Sequence, residues 1–115
     1  QGLMATASTI YMAMLGPDGL AKVARASHLR AEQTKRDVCA LDGFSLRYAG
    51  ATFNEFVVDT PRPAADIVRD LAAQGIAPGV ALGHLGAGWE NALLITATEL
   101  TTDEDISALC TALRG

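Results

Sequence analysis

The first 17 residues carry no charged side chain, and they close on Gly16-Pro17. Leu3, Ala7, Ile10 and Met14 fall on one helical stripe, and Met4, Tyr11 and Leu15 on a neighbouring one. The spacing predicts a helix over 3–15. Gly16 can cap its C-terminus and Pro17 cannot continue the backbone ladder. A helix that is apolar all round has to be covered by something. A membrane span needs about 20 apolar residues, whereas this stretch contains Gln1, Thr6, Ser8 and Thr9 before the Gly-Pro stop. A secretory signal would also bring a basic leading region, and none is present. The expectation is therefore no membrane span, but a piece of a longer polypeptide whose other parts cover the helix.

Pro17 suits the first turn of a second helix, with Asp18 near its positive end. Leu20, Ala24, Ser27, Ala31, Thr34, Val38 and Leu41 recur four and three apart, which predicts a helix over 17–41. Most of this stripe is small, so the helix should lie close against a partner surface. A coiled-coil zipper would want large side chains there. Arg25, Arg30, Glu32, Lys35, Arg36 and Asp37 make the wet face, and Asp42-Gly43 ends the helix.

Beyond it, residues 44–48 alternate apolar and polar and read as a short strand. Residues 53–58, FNEFVV, form the strongest strand pattern, with Phe53, Glu55 and Val57 on one face and Asn54, Phe56 and Val58 on the other. A turn at 59–63 places Pro63 in the first turn of a helix built on Ala64, Ile67, Val68, Leu71 and Ala72 and capped by Gly75. Residues 92–97, ALLITA, read as a further buried strand. Thr102 opens a last helix with Asp105 as a capping-box partner and Ile106, Leu109, Cys110 and Leu113 as its core stripe. With 115 residues there is room for one domain: leading helices over 1–42 and an α+β unit over 43–115. The unit should hold two or three strands, mostly antiparallel, with helices on one face.

Nine basic against 13 acidic side chains give a net charge of −4. That excludes a phosphate-backbone binder, which needs clustered Lys and Arg, and an anionic membrane surface. Cys39, Cys110, His28 and His84 show no metal-ligand spacing. The two cysteines read as buried thiols of a cytoplasmic protein, with a single disulfide left open.

Gly83, Gly86 and Gly88 form a G-x-x-G-x-G run. A phosphate cradle would place such glycines before a helix N-terminus, but here Trp89-Glu90-Asn91 and a strand follow. The run reads as a flexible or close-packed loop. His84 has no identifiable acidic or nucleophilic partner nearby in sequence. Neither cysteine sits where positive potential favours a thiolate. Glu99, just before the last helix, reads as a surface or dipole-pairing residue. Glu55, a charge inside a Phe/Val strand, faces either solvent or a partner. The expected catalytic, cofactor-binding and metal sets are empty. Asn54, Glu55 and His84 remain as candidates for a cleft or subunit contact.

The segments QGLMATASTIYMAMLGPDGLAKVARASHLRA, FNEFVV and LLITATELTTDEDISALCTAL resemble the C-terminal part of the α chain, subunit 1, of glycine dehydrogenase (decarboxylating), the two-subunit P-protein of the glycine cleavage system. The resemblance implies the small C-terminal domain of a fold type I, aspartate-aminotransferase-like enzyme, an α/β-class parent led into this lobe by a helix. It implies glycine decarboxylation with pyridoxal phosphate as electron sink, and aminomethyl transfer to the lipoyl H-protein. It also implies a second P-protein subunit that bears the cofactor lysine. Lys22 and Lys35 sit on polar or flanking positions of one helix, so this chain should bind no cofactor itself and should be inactive alone.

The competing reading is a free-standing ligand-binding or regulatory module that dimerises through its leading helices. In such a module the apolar first helix should fold back on its own core. In a piece of a larger enzyme it should be left exposed or pair with a copy of itself.

Overall fold

A computed structural model describes residues 1–115. Its first element, α1 (Gly2–Cys39), is two helices joined at Gly16, whose backbone is non-helical at φ 67° and ψ 179°. Such a φ favours glycine, and Pro17 follows with no N–H to offer, so the Gly-Pro pair acts as expected: the chain changes direction without a loop. Before this joint, residues 2–14 are all exposed, including Leu3 at 79% and Met14 at 82%. The arm does not fold back on the core.

After the joint, the small stripe is buried from Ser27 onward: Ser27, Ala31, Thr34 and Val38, followed by Leu41. Leu20 and Ala24, nearer the arm, remain exposed. Small side chains at these positions let the helix axis approach the sheet and the last helix. Lys35 bonds Glu32 at 2.6 Å and the Thr52 hydroxyl at 3.1 Å on the flank of the helix.

Four strands follow: β1 (Ser45–Leu46), β2 (Glu55–Asp59), β3 (Val80–Ala81) and β4 (Ala92–Thr96). They form one antiparallel sheet in the order β1-β2-β4-β3. The sheet thus has one strand more than the sequence pattern led us to expect. β3 lies in the glycine-rich connection, where two residues carry no periodic signal. β2 also starts two residues later than FNEFVV suggests. Phe53 leaves the strand face and stacks on the ring of His28, with centroids 6.4 Å apart, while the Phe53 carbonyl lies 3.0 Å from His28 Nδ1.

Helix α2 (Ala64–Ala72) begins one residue after Pro63, which occupies the N-cap position and not the first turn. Its reversal is as expected: Gly75, at φ 77°, lets the Ile76 N–H bond back to the Leu71 carbonyl at 2.9 Å. Helix α3 (Asp103–Leu113) opens with the anticipated capping box, Thr102 and Asp105 each bonding the other's backbone N–H.

Val38 and Leu41 from the first helix and the loop after it, Ile67 and Leu71 from α2, and Ile106 and Cys110 from α3 meet Phe56, Val58, Leu93 and Ile95 of the sheet in one core. The register pairs Phe56 with Ile95 and Val58 with Leu93, so these four side chains share a face. All three helices therefore cover the same side of the sheet.

Candidate functional site

The other side of the sheet carries Glu55, Val57 and Asp59 of β2, opposite Thr96, Leu94 and Ala92 of β4, with Val80 of β3 beyond Leu94. No helix contributes to this face. Its one dense constellation lies at the end marked by Asp59 and Ala92. Arg47 follows β1, and its N–H bonds the Val57 carbonyl at 3.0 Å. That pairing puts its side chain on the helix-free face. The guanidinium donates to Asp59 Oδ1 at 3.0 Å and to the Gly88 carbonyl at 2.8 Å. It also sits 4.2 Å from the centroid of the Trp89 ring, within cation–π range. Tyr48 lies against the same indole, 6.5 Å between centroids and tilted by 44°. Glu90 accepts the Gly88 N–H at 3.0 Å.

Sequence reasoning did not single out Arg47, Asp59 or Trp89. The available signal was the chain's lone Trp at the end of a glycine-rich loop, together with an Arg in an alternating strand pattern. Chemically the group can hold, orient and stack. It contains no nucleophile–base pair.

The three side chains expected at a cleft or contact do not converge. Glu55 is exposed and Asn54 half-buried at the start of β2, where the Asn54 carbonyl accepts the Ala97 N–H at 2.9 Å. His84 is exposed in a 3-10 turn, Gly83–Leu85, at the opposite end of the sheet, with Nδ1 3.2 Å from the Ala81 carbonyl. The length of β2, roughly 13 Å at about 3.3 Å per residue, separates the two ends. Glu99 is tied down more firmly than a plain surface residue. Its carboxylate accepts from the Ser27 hydroxyl at 3.1 Å, and its N–H donates to the same oxygen at 3.2 Å.

A groove of about 310 Å³ opens elsewhere, between Ile76 and Pro78, the end of β4, and Thr101, Asp105 and Leu109. Three of its polar side chains are engaged within the chain. Thr34 bonds the Arg30 carbonyl, Thr101 accepts from Thr98, and Asp105 is in the capping box. No buried side-chain nitrogen or oxygen lacks a partner. No group of three or more His, Cys, Asp or Glu is placed to hold a metal. Both cysteines are free thiols, Cys110 buried and Cys39 half-buried. Burial raises the pKa of each above the ordinary thiol value, and Asp37 adds to the effect at Cys110.

A sheet of this order, with helices on one face and a kinked leading helix, is the architecture of an α+β lobe of fold type I PLP-dependent enzymes. The crystal structure of glycine decarboxylase (P-protein) of the glycine cleavage system, in inhibitor-bound form, superposes with a TM-score of 0.82 at 33% identity, over 91% of this chain and 24% of that one. The fold also matches a mutant of the cystine C–S lyase C-DES with glycine covalently linked to its PLP cofactor. There the TM-score is 0.70 and the identity 18%, over 82% of this chain and 24% of that one.

Residues 1–113 match the family described as the glycine cleavage system P-protein, and the chain belongs to that family. The probable glycine dehydrogenase (decarboxylating) subunit 1 of Francisella tularensis subsp. novicida (strain U112) is 41% identical over 106 residues, which are 92% of this chain and 23% of that protein. The chain thus spans about a quarter of the length of such relatives.

The residues present do not fit a PLP site. Lys35, the better-held lysine, is engaged by Glu32 and Thr52; its hydrogen bond also holds the Glu32 carboxyl below the ordinary range, against a smaller opposing effect of burial. Lys22 is exposed on α1. The glycines at 83, 86 and 88 lead into β4 and not into a helix N-terminus that could meet a phosphate.

Proposed function

We propose that this chain is the small C-terminal lobe, residues 1–42 leading and 43–115 forming the α+β unit, of a glycine dehydrogenase (decarboxylating). The assembled enzyme decarboxylates glycine with pyridoxal phosphate and passes the aminomethyl group to a lipoyl H-protein. The cofactor lysine lies on a second P-protein subunit, and the compartment is the cytoplasm. The match to the P-protein family over residues 1–113 carries this reading. The unfitness of Lys22 and Lys35 agrees with a cofactor held elsewhere.

In this reading the lobe contributes surfaces and not reacting groups. The exposed arm over 2–15 packs on the remainder of the enzyme. Glu55 at one end of the helix-free sheet face, Asn54 beside it, and His84 in the turn at the other end of the sheet supply cleft or subunit contacts. The exposure of the arm favours this reading over a free-standing module, whose first helix would close on its own core.

The test is exchange of the glycine carboxyl carbon with labelled bicarbonate. The full polypeptide with its partner subunit should support exchange. Removing residues 1–115 should abolish it, and the isolated 115-residue chain should show none. Exchange that survives the deletion, or that the isolated chain supports alone, contradicts the proposal.

A further inference from the structure

The loop between β3 and β4 is held very unevenly. Its far end is anchored to the start of α2, because the Thr60 N–H bonds the Asn91 carbonyl at 2.8 Å and the Ala64 N–H bonds the Glu90 carbonyl at 2.9 Å. Its near end is a short 3-10 turn closed only on itself and on β3, through Leu85 to Leu82 and His84 to Ala81. Between them lies the tip, Gly86-Ala87-Gly88, exposed throughout, with Gly86 at φ 118° and Gly88 at φ 87°. The hydrogen bonds of the tip stay within the loop: Gly86 to Gly83, Trp89 to Gly86, and Gly88 to the Glu90 carboxylate. A single hydrogen bond leaves it, from Arg47 to the Gly88 carbonyl.

Arg47 comes from the far side of the sheet, beyond β2 and β4 in strand order. Its guanidinium is braced by Asp59 from below and faced by the Trp89 ring. One side chain thus joins the β1 edge, the end of β2 and the loop tip.

We propose that residues 83–88 form a strap latched by Arg47 across the end of the helix-free sheet face, a strap that opens as a unit while the sheet beneath it stays paired. Gly86 and Gly88 are the positions where its backbone can turn, and Arg47 is a positioning residue, touching the strap at Gly88 and the Trp89 ring just beyond it. The inference concerns this chain's own mechanics and stands apart from the assignment to a glycine decarboxylating enzyme.

Hydrogen–deuterium exchange on the full polypeptide carrying residues 1–115 tests it, because the Gly86 amide bonds Gly83 within the strap, the Trp89 amide bonds the strap at Gly86, and the Gly88 amide bonds the Glu90 carboxylate just beyond it. Arg47→Ala removes the hydrogen bond to the strap, the one to Asp59 and the cation–π contact with Trp89, and should speed exchange there about tenfold. Amides of β2 and β4 should keep their rates. Arg47→Lys, which cannot donate to Asp59 and Gly88 in one planar fork, should give an intermediate rate if the alanine variant fails to fold. Unchanged strap exchange in the variants overturns the proposal. So does strap exchange that rises only in step with the sheet, since Arg47 would then be a general prop. Neither outcome bears on glycine exchange activity, so the two proposals fail separately.

Discussion

Gly79 and the carbonyl of Leu94 leave no space for a side chain between them. A Cβ built on Gly79 would lie 2.1 Å from the Leu94 oxygen, and the backbone there is at φ 151°. This contact seats β3 beside β4, where Val80 pairs with Leu94. Gly79→Ala should therefore cost about 3 kcal/mol, through strain and through separation of the edge strand. Urea unfolding should show a lower midpoint with little change in slope. An unchanged midpoint would mean that the edge strand adds nothing to stability.

Acid should loosen the contact between α1 and α3. The Asp103 carboxyl is held below its ordinary value of 3.8 chiefly by the hydrogen bond from Arg30, with Gln33 and the Arg30 charge adding to it. Asp105 is lowered by the Thr102 backbone N–H and then by the Thr102 hydroxyl. A carboxyl depressed on folding contributes fully above its unfolded value, and the contribution is lost as pH falls through the lower folded value. These two groups should leave stability flat from pH 7 to 5 and reduce it below about pH 4. Asp103→Asn should lower the unfolding midpoint at pH 7 and converge with the parent chain near pH 2. A gap that persists undiminished into acid would show that the effect is not electrostatic.

The two bonds of the capping box are reciprocal, Thr102 and Asp105 each satisfying the other's backbone N–H. Thr102→Ala removes the hydroxyl that accepts the Asp105 N–H at 3.1 Å. Such a loss typically costs about 1 kcal/mol. Thermal unfolding should show it, while Thr101→Ala, which touches only the preceding turn, should cost less. Equal losses would place the stabilisation in the turn and not in the cap.

What the sequence disclosed was the part governed by short-range rules. The Thr102–Asp105 box, the Gly75 reversal and the Gly16-Pro17 joint each depend on residues within five positions of one another, and each appears where expected. The stripe from Ser27 to Leu41 was legible from spacing alone, and so was the core line of α3. β3 was not: two residues give no period, and their strand character comes from Leu93 and Leu94, a dozen positions away. Phe53 continues the Phe/Val strand pattern of FNEFVV in sequence, but its ring stacks on His28, which belongs to α1 and lies 25 positions earlier. The Arg47–Trp89 group escaped notice because it joins residues 42 positions apart through a loop whose conformation depends on the sheet already being formed. The family resemblance was readable in the segments that build the arm, β2, β4 and α3.

The exposed arm ties the fold to the proposed assembly. Leu3, Ile10 and Met14 lie on one stripe and are 79%, 55% and 82% exposed. Apolar surface left open in this way drives association. In the isolated chain the available partner is a second arm, so sedimentation should show concentration-dependent self-association. The triple change Leu3→Glu, Ile10→Glu and Met14→Glu should abolish it while leaving α3 and the sheet intact, since none of the three residues belongs to the core. The same change in the full polypeptide should expose carboxylates to the surface that covers the arm, lowering the yield of folded enzyme and its thermal midpoint. If the triple variant of the full polypeptide folds and assembles as well as the parent, the arm does not pack on the rest of the enzyme. If the isolated chain is monomeric at all concentrations, exposed apolar area alone is insufficient to pair two copies.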